Sequence, residues 1–363
     1  MNSDVLSPEK NNTPQAADGP PVRLAVVGLH FGRHIVMDEL SKEEVRKSCT
    51  LVTVCDLDAV RANEVAAAVG VKASTDLDAV LAAPDIEAVA LYTPPVGRAA
   101  LIRKIIRAGK DVMTTKPFEL DAQAALKVLE EAREMGRVVH LNSPAPMLPG
   151  DLRQVEMWRE KYQLGRPIAC HREAYASYRE KADGSWYDDP QLCPVAPIFR
   201  LGIYLINDMI QLLGEPEAVQ VMHSRIFTGR PTPDNAQLLI RFKNGVIGSV
   251  FASFCVDDGQ FYSNSMVLKY ERGTILRNME PFAYGEANSR THMSVVAKTG
   301  KEQTVIERAE PANMSGGYQW REFHRAVRTG PLLNATTPEQ IVMGIRVIGA
   351  MSRAEHSGRE ELI

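Results

Sequence analysis

The chain has 363 residues, 45% hydrophobic and 24% charged, with a formal net charge of -3. That length suits two domains of ordinary size, and the near-neutral balance gives neither nucleic acid nor an anionic membrane an electrostatic hold. No apolar run approaches the roughly 18 residues of a membrane span, and Cys49, Cys55, Cys170, Cys193 and Cys255 lack C-x-x-C spacing, so a soluble cytoplasmic protein with reduced thiols and no metal is expected.

Residues 1–20 are polar, rich in Pro, Asn and Asp, and carry no signal-peptide core, so they read as a disordered tail. From Val22 to Ser143 short β-branched runs ("RLAVVGL", "TLVTVCDLD", "IEAVALYTPP", "DVMTTKP", "VVHLNS") alternate with Ala-rich stretches of helical spacing such as "DAVRANEVAAAVG" and "GRAALIRKIIRAG". That order predicts a doubly wound parallel sheet over residues 21–145, with polar loops gathered at the carboxyl ends of the strands.

After a helix-like segment from Pro149 to Tyr162 the pattern becomes strands in series: "PIACHREAYAS", "AVQVMHSRIF", "AQLLIRFK", "GVIGSVFASFC", "SMVLKYERGTILR", "HMSVVAKT" and "EQTVIER". Residues 146–363 are therefore expected to form an α+β domain with a large, mostly antiparallel open sheet. "FRLGIYLINDMIQLLG", "YQWREFHRAVRTG" and a last helix opened by Thr337, Pro338 and Gln340 as a capping box complete it. Helices can cover one face of that sheet, and the other suits a second subunit in a homodimer or homotetramer.

The stretch "VRLAVVGLHFGRHI" places Gly28 after a strand, where a dinucleotide-binding turn begins, but the middle glycine of G-x-G-x-x-G is replaced by His30 and Gly32 supplies the last one. The cofactor-binding candidates are Gly28, His30, Phe31, Gly32 and Arg33 in this turn, then Asp56, Thr93, Pro94, Thr115, Lys116 and Asn142 at later strand ends. Asp56 can accept from ribose hydroxyls and would repel a 2'-phosphate, which favours NAD and leaves NADP open; alternatively it caps the helix near Asp58. His30, His34 and Asp38 share a helical face and could ligate a metal, but nothing completes such a site. Lys116, held by Pro117 at the ligand edge, can orient or protonate a carbonyl oxygen.

Taken in order, "AVVGLHFGRH", "VCDLD", "VALYTPP", "AGKDVMTTKPFELD", "GSWYDDP", "RLGIYLINDMIQLLGEPEAV" and the closing "FHRAVRTG…TTPEQIVMGIRVIGAMSRAEHSG" resemble the Gfo/Idh/MocA family from Val22 to the C-terminus. The resemblance implies a Rossmann domain, an α+β domain used for oligomer contacts, and NAD(P)-dependent hydride transfer at a carbohydrate-like carbon. Lys116 matches the lysine of the family's E-K-P motif, with Thr115 in place of Glu; Thr93 and Pro94 match the T-P loop, and Trp186 the tryptophan reaching the cofactor from the second domain. In the D-x-G-x-H motif Gly202 fits, Tyr204 replaces His and Arg200 replaces Asp, while Arg98 stands where His is usual.

The expectation is then that Tyr204 exchanges the oxygen-bound proton, its pKa pulled down by the lysine, while Lys116 positions that oxygen. Arg98, Lys116 and Arg200, as three converging cations, would suit an anionic substrate; the alternative is that Arg200 points to solvent or pairs with Asp188, Asp189 or Asp208. Two other functions stay open: a non-catalytic dinucleotide- or sugar-binding regulator, and a glycoside-cleaving enzyme with tightly bound NAD.

Overall fold

The computed structural model describes residues 19–178, 180–259, 262–279, 291–300 and 303–363. Most of the tail expected at residues 1–20 thus lies outside the described residues.

Six parallel strands, β1 (Val22–Val27), β2 (Cys49–Cys55), β3 (Lys72–Ser74), β4 (Ala88–Leu91), β5 (Asp111–Thr114) and β6 (Val139–Leu141), lie in the order β3-β2-β1-β4-β5-β6. The order reverses between β1 and β4, and such a switch point opens a crevice at the carboxyl ends of the strands. β1, β4 and β5 are buried almost throughout, as parallel strands covered on both faces must be. Two of the crossover helices start on an aspartate: the Asp58 carboxylate accepts from the N–H groups of Val60 and Arg61 to start Ala59–Val69, and Asp121 accepts from those of Gln123 and Ala124 to start Ala122–Glu134.

The second sheet has nine strands: β7 (Pro167–Ala176), β8 (Pro216–Ser224), β9 (Asn235–Phe242), β10 (Ile247–Ser253), β11 (Tyr262–Tyr270), β12 (Gly273–Arg277), β13 (Met293–Thr299), β14 (Gln303–Ala309) and β15 (Glu361–Leu362). Its order is β14-β13-β12-β11-β7-β10-β9-β8-β15, antiparallel except where β10 runs parallel to β7. One face, with Leu238, Ile240, Val250, Leu268 and Val295, packs on helix Ile203–Leu213 and its neighbours. Leu239, Ile247 and Ile306 on the other face are exposed.

Two helices from the end of the chain return to the first sheet. Trp320 and Phe323 of Trp320–Thr329 join Val22, Leu24 and Val26 in one core, and Val342 and Ile345 of Pro338–Ser357 join Ala25, Val27 and Val89 in another. The capping box of Thr337 and Gln340 is formed, with Pro338 at the first position. Among the described residues no helix is long and apolar enough to cross a membrane.

Candidate active site

Gly28 leaves β1 with φ 86, and a Cβ there would lie 2.9 Å from the Thr93 nitrogen and the Tyr92 carbonyl carbon. The first turn therefore presses against the exit of β4, and only glycine allows it. A Cβ on Gly32 would meet Val26 Cγ1 at 3.0 Å, so this glycine packs the first helix on its strand. His30 and Phe31 line a cleft of about 2180 Å³, whereas Arg33 is exposed and lies off it. His34 Nδ1 faces Asp38 Oδ2 at 2.5 Å, and among the described residues no three possible metal ligands come together.

Asp56, at the end of β2, accepts from the Leu29 N–H at 2.6 Å, the Asp58 N–H at 2.9 Å and Arg61 Nη1 at 3.1 Å. Burial pulls this carboxyl up, but those donors outweigh it and hold the group below the usual range. Asp58 is the helix cap, which leaves Asp56 to brace the first turn through the Leu29 N–H.

Thr93, Pro94, Thr115, Lys116, Trp186, Arg200 and Tyr204 line the same cleft. Lys116 is half-buried; its Nζ lies 3.9 Å from the centre of the Tyr204 ring and donates to the carbonyl of Arg200. That carbonyl belongs to a π-helical turn, Ile198–Gly202, whose wider winding departs from the ordinary i to i-4 ladder. Burial, followed by the Arg200 guanidinium, pulls Lys116 down to about 7; Cys193 opposes this, and Arg98 adds the smallest effect. Asn142, expected among the cofactor-binding residues, does not line the cleft but lies beneath it, 2% exposed, and donates from Nδ2 to the Tyr204 oxygen at 3.1 Å.

Two expectations are corrected here. Burial raises the Tyr204 phenol well above its ordinary value, because Lys116 sits over the ring face rather than beside the oxygen. Nor do three free cations converge. Arg98 is 3% exposed and donates to the carbonyls of Thr115 at 2.8 Å and Pro117 at 3.2 Å and to that of Thr93, so it ties the two loops together. Arg200 pairs with Glu180 through both guanidinium nitrogens at 2.6 and 2.8 Å, and not with Asp188, Asp189 or Asp208. Its guanidinium also stacks against Tyr187, Phe254 and Tyr178, with 4.1, 4.8 and 4.9 Å to the ring centres.

The cleft fits a dinucleotide. Among the described residues the buried Thr93 hydroxyl has no hydrogen-bond partner, and the Gly28 turn is a cradle that a Cβ would fill. The cavity also exceeds the roughly 300–1,000 Å³ of a pocket for one small ligand.

Residues 22–143 match the oxidoreductase family with an NAD-binding Rossmann fold, and residues 152–276 match the GFO/IDH/MocA C-terminal domain. The chain belongs to the Gfo/Idh/MocA family. An inositol 2-dehydrogenase of Rhodococcus erythropolis is 26% identical over 197 residues, 53% of this chain and 55% of the relative. The first curated relatives are matched over only 26–55% of their own lengths. The NAD-binding oxidoreductase of Klebsiella pneumoniae has a TM-score of 0.72 at 17% identity, covering 94% of this chain and 99% of that one. Levoglucosan dehydrogenase, in complex with NADH and levoglucosan, gives 0.74 at 16%, covering 94% and 99%. At such identities the likeness is one of fold.

Within the Gfo/Idh/MocA pattern, sequence reasoning missed the wall built by Ser315, Gly316 and Tyr318 just before helix Trp320–Thr329. Its signal was the pair Gly316-Gly317: Gly316 has φ 90, and a Cβ there would meet the Tyr204 ring at 3.2 Å. Glu180 was missed as well, since nothing in its spacing ties it to Arg200.

Proposed function

We propose that the protein is an NAD(P)-dependent dehydrogenase or reductase that acts on a CH-OH or carbonyl carbon of a carbohydrate-like substrate. The observation that carries this reading is Lys116, held near neutrality at about 7 against Tyr204 on the wall of a cleft that also contains the Gly28 turn and Asp56. When bound, a nicotinamide dinucleotide supplies the hydride acceptor or donor. Gly28, His30, Phe31, Asp56, Thr93, Pro94, Thr115 and Trp186 line the space that would hold it.

In the oxidising direction Lys116 as free amine takes the hydroxyl proton of the substrate; in the reducing direction its ammonium returns it. Tyr204 stays protonated and donates a hydrogen bond to the same oxygen, stabilising its developing charge. This exchanges the roles read from the sequence. With Arg98 and Arg200 engaged, a neutral polyol or sugar fits better than a uronate. The intact arrangement of Lys116, Tyr204 and Asn142 favours chemistry over a purely regulatory role.

Assembly follows from the open sheet face. Leu239, Ile247, Phe251, Val267, Leu276, Val296 and Ile306 share it by register, and a second copy of the chain would cover it in a homodimer or homotetramer.

The test is a fluorescence titration of cofactor-stripped protein with NADH and NADPH, then a turnover screen of myo-inositol, neutral sugars and uronates. Saturable binding with turnover of neutral substrates is expected. Absence of binding at millimolar cofactor would overturn the reading.

A further inference from the structure

Asn142 ends the last strand of the Rossmann sheet, and all of its polar valences face named groups. Its Oδ1 accepts from the Lys116 N–H at 3.2 Å and from the Thr115 hydroxyl at 3.2 Å. Its Nδ2 donates to the Gly316 carbonyl at 3.0 Å and to the Tyr204 oxygen at 3.1 Å. The orientation of this amide is not a free choice. A backbone N–H can only donate, so it must face Oδ1; a carbonyl can only accept, so it must face Nδ2.

The consequence falls on Tyr204. Its oxygen meets an NH2 group that has no acceptor to offer, so the phenol must act as acceptor there and turn its own hydrogen elsewhere. The Tyr204 ring is closed on one side by Lys116 Nζ at 3.9 Å and on another by Gly316, where even a Cβ would come within 3.2 Å of a ring carbon. Among the described residues no group accepts from the Tyr204 hydroxyl, which leaves its hydrogen to the cleft that Tyr204 lines.

We infer that Asn142 is a positioning residue that fixes the sense of the Tyr204 hydrogen bond, so that the phenol donates into the cleft, toward the substrate oxygen. Through the Lys116 N–H the same amide holds the backbone of the lysine loop, so one side chain sets the relative placement of the two groups that meet that oxygen. The inference rests on the proposed dehydrogenase reading for the identity of the acceptor, but the sense of the bond can be tested without any substrate.

The experiment uses the full chain labelled with 13Cζ-tyrosine, the Tyr204 resonance being assigned by its disappearance in Tyr204→Phe. Asn142→Asp keeps the size of the side chain and an acceptor for the Lys116 N–H, but faces Tyr204 with a carboxylate. The phenol should turn to donate to it, and its Cζ resonance should move downfield. An unmoved resonance would overturn the inference. Should that variant fail to fold, Asn142→Ala reads the same bond, because the phenol oxygen then loses its donor; here too an unmoved resonance overturns it.

Kinetics supply the second arm. With a neutral substrate that the wild type turns over, Asn142→Asp should lower kcat by about 10²-fold, the usual cost of one preorganised donor, with the affinity for NADH unchanged. The double variant with Tyr204→Phe should lose no more than Tyr204→Phe alone, because Asn142→Asp keeps the acceptor for the Lys116 N–H and so acts through the phenol. Additive losses, or a parallel loss of NADH binding, would mark Asn142 as merely structural and overturn the inference. A shifted resonance in a protein that turns over nothing would leave the bond intact and sink the dehydrogenase reading alone.

Discussion

Lys116 lies over the face of the Tyr204 ring, 3.9 Å from its centre, and does not share a hydrogen bond with the phenol oxygen. A cation over a ring is attracted by its quadrupole but leaves the oxygen's proton affinity to the surroundings, here an Asn amide and the apolar wall. Burial therefore acts on the two groups in opposite ways: it drives off the lysine's proton and retains the phenol's.

Lys116→Met should cut turnover by about 10²- to 10⁴-fold while NADH binding, followed by nicotinamide fluorescence, stays nearly the same. In the wild type, oxidation requires the free amine, so kcat/KM should rise with pH and level off above about 7, and reduction should fall over the same range. Stability carries the same signature. Because Lys116 titrates at about 7 in the folded protein and near 10.5 when unfolded, the unfolded chain binds more protons between those values and stability rises with pH there. Lys116→Met should flatten that rise and melt at a higher temperature at neutral pH. A variant that keeps the wild-type rate would remove Lys116 from the chemistry.

The Arg200–Glu180 pair should respond asymmetrically to loss of either member. Glu180→Gln leaves a guanidinium with a 13% exposed side chain short of its carboxylate and should cost about 1–3 kcal/mol in urea unfolding. Arg200→Met should cost less, because Tyr178, Tyr187 and Phe254 offer an apolar box and Glu180 still has Arg230 at 3.6 Å. Removing Arg200 also removes the strongest positive neighbour of Lys116, so the pH midpoint of turnover should move upward. An unmoved midpoint would show that solvent in the open cleft screens the pair.

Much of this was legible in the chain, and the boundary has a physical logic. The alternation of β-branched runs with Ala-rich helices fixed β1, β2, β4, β5 and β6, because buried parallel strands leave continuous apolar runs. β3 (Lys72–Ser74) and β15 (Glu361–Leu362) are edge strands of three and two residues, mostly open to solvent, and carry no such pattern. The segment "SMVLKYERGTILR" shows continuous strand character, yet it folds back at Glu271 and Arg272 into β11 and β12. At the site, Lys116, Tyr204 and the Gly28 turn could be found from local motifs. What Arg98 and Arg200 do could not, since their partners are loop carbonyls and a carboxylate 20 residues away, brought near only by the tertiary fold.

Asp56 should set the choice of dinucleotide. Its carboxylate stands at the end of β2, where a ribose 2'-phosphate would meet negative charge, and Arg61 is already engaged with it at 3.1 Å and with Asp58 at 3.2 Å. NADH should therefore bind more tightly than NADPH, and Asp56→Ser should narrow that preference by about tenfold or more, roughly 1.4 kcal/mol. Equal affinities in the wild type would mean that Arg61 leaves Asp56 to receive the phosphate.

Gly28→Ala tests the turn itself. The added methyl would lie 2.9 Å from both the Thr93 nitrogen and the Tyr92 carbonyl carbon, and φ 86 is a region that side chains avoid. Neither neighbour can yield cheaply, because both are backbone atoms: Tyr92 donates its N–H to the Val27 carbonyl at 2.8 Å, and Gly28 donates to the Cys55 carbonyl at 2.9 Å. Strain and overpacking together should cost about 2–5 kcal/mol, measured by urea unfolding. Any folded fraction should bind NADH weakly, because the turn can open only by moving β1 away from the exit of β4, which widens the crevice proposed to hold the cofactor. A variant with wild-type stability and affinity would show that the contact between these two strand ends is looser than its geometry requires.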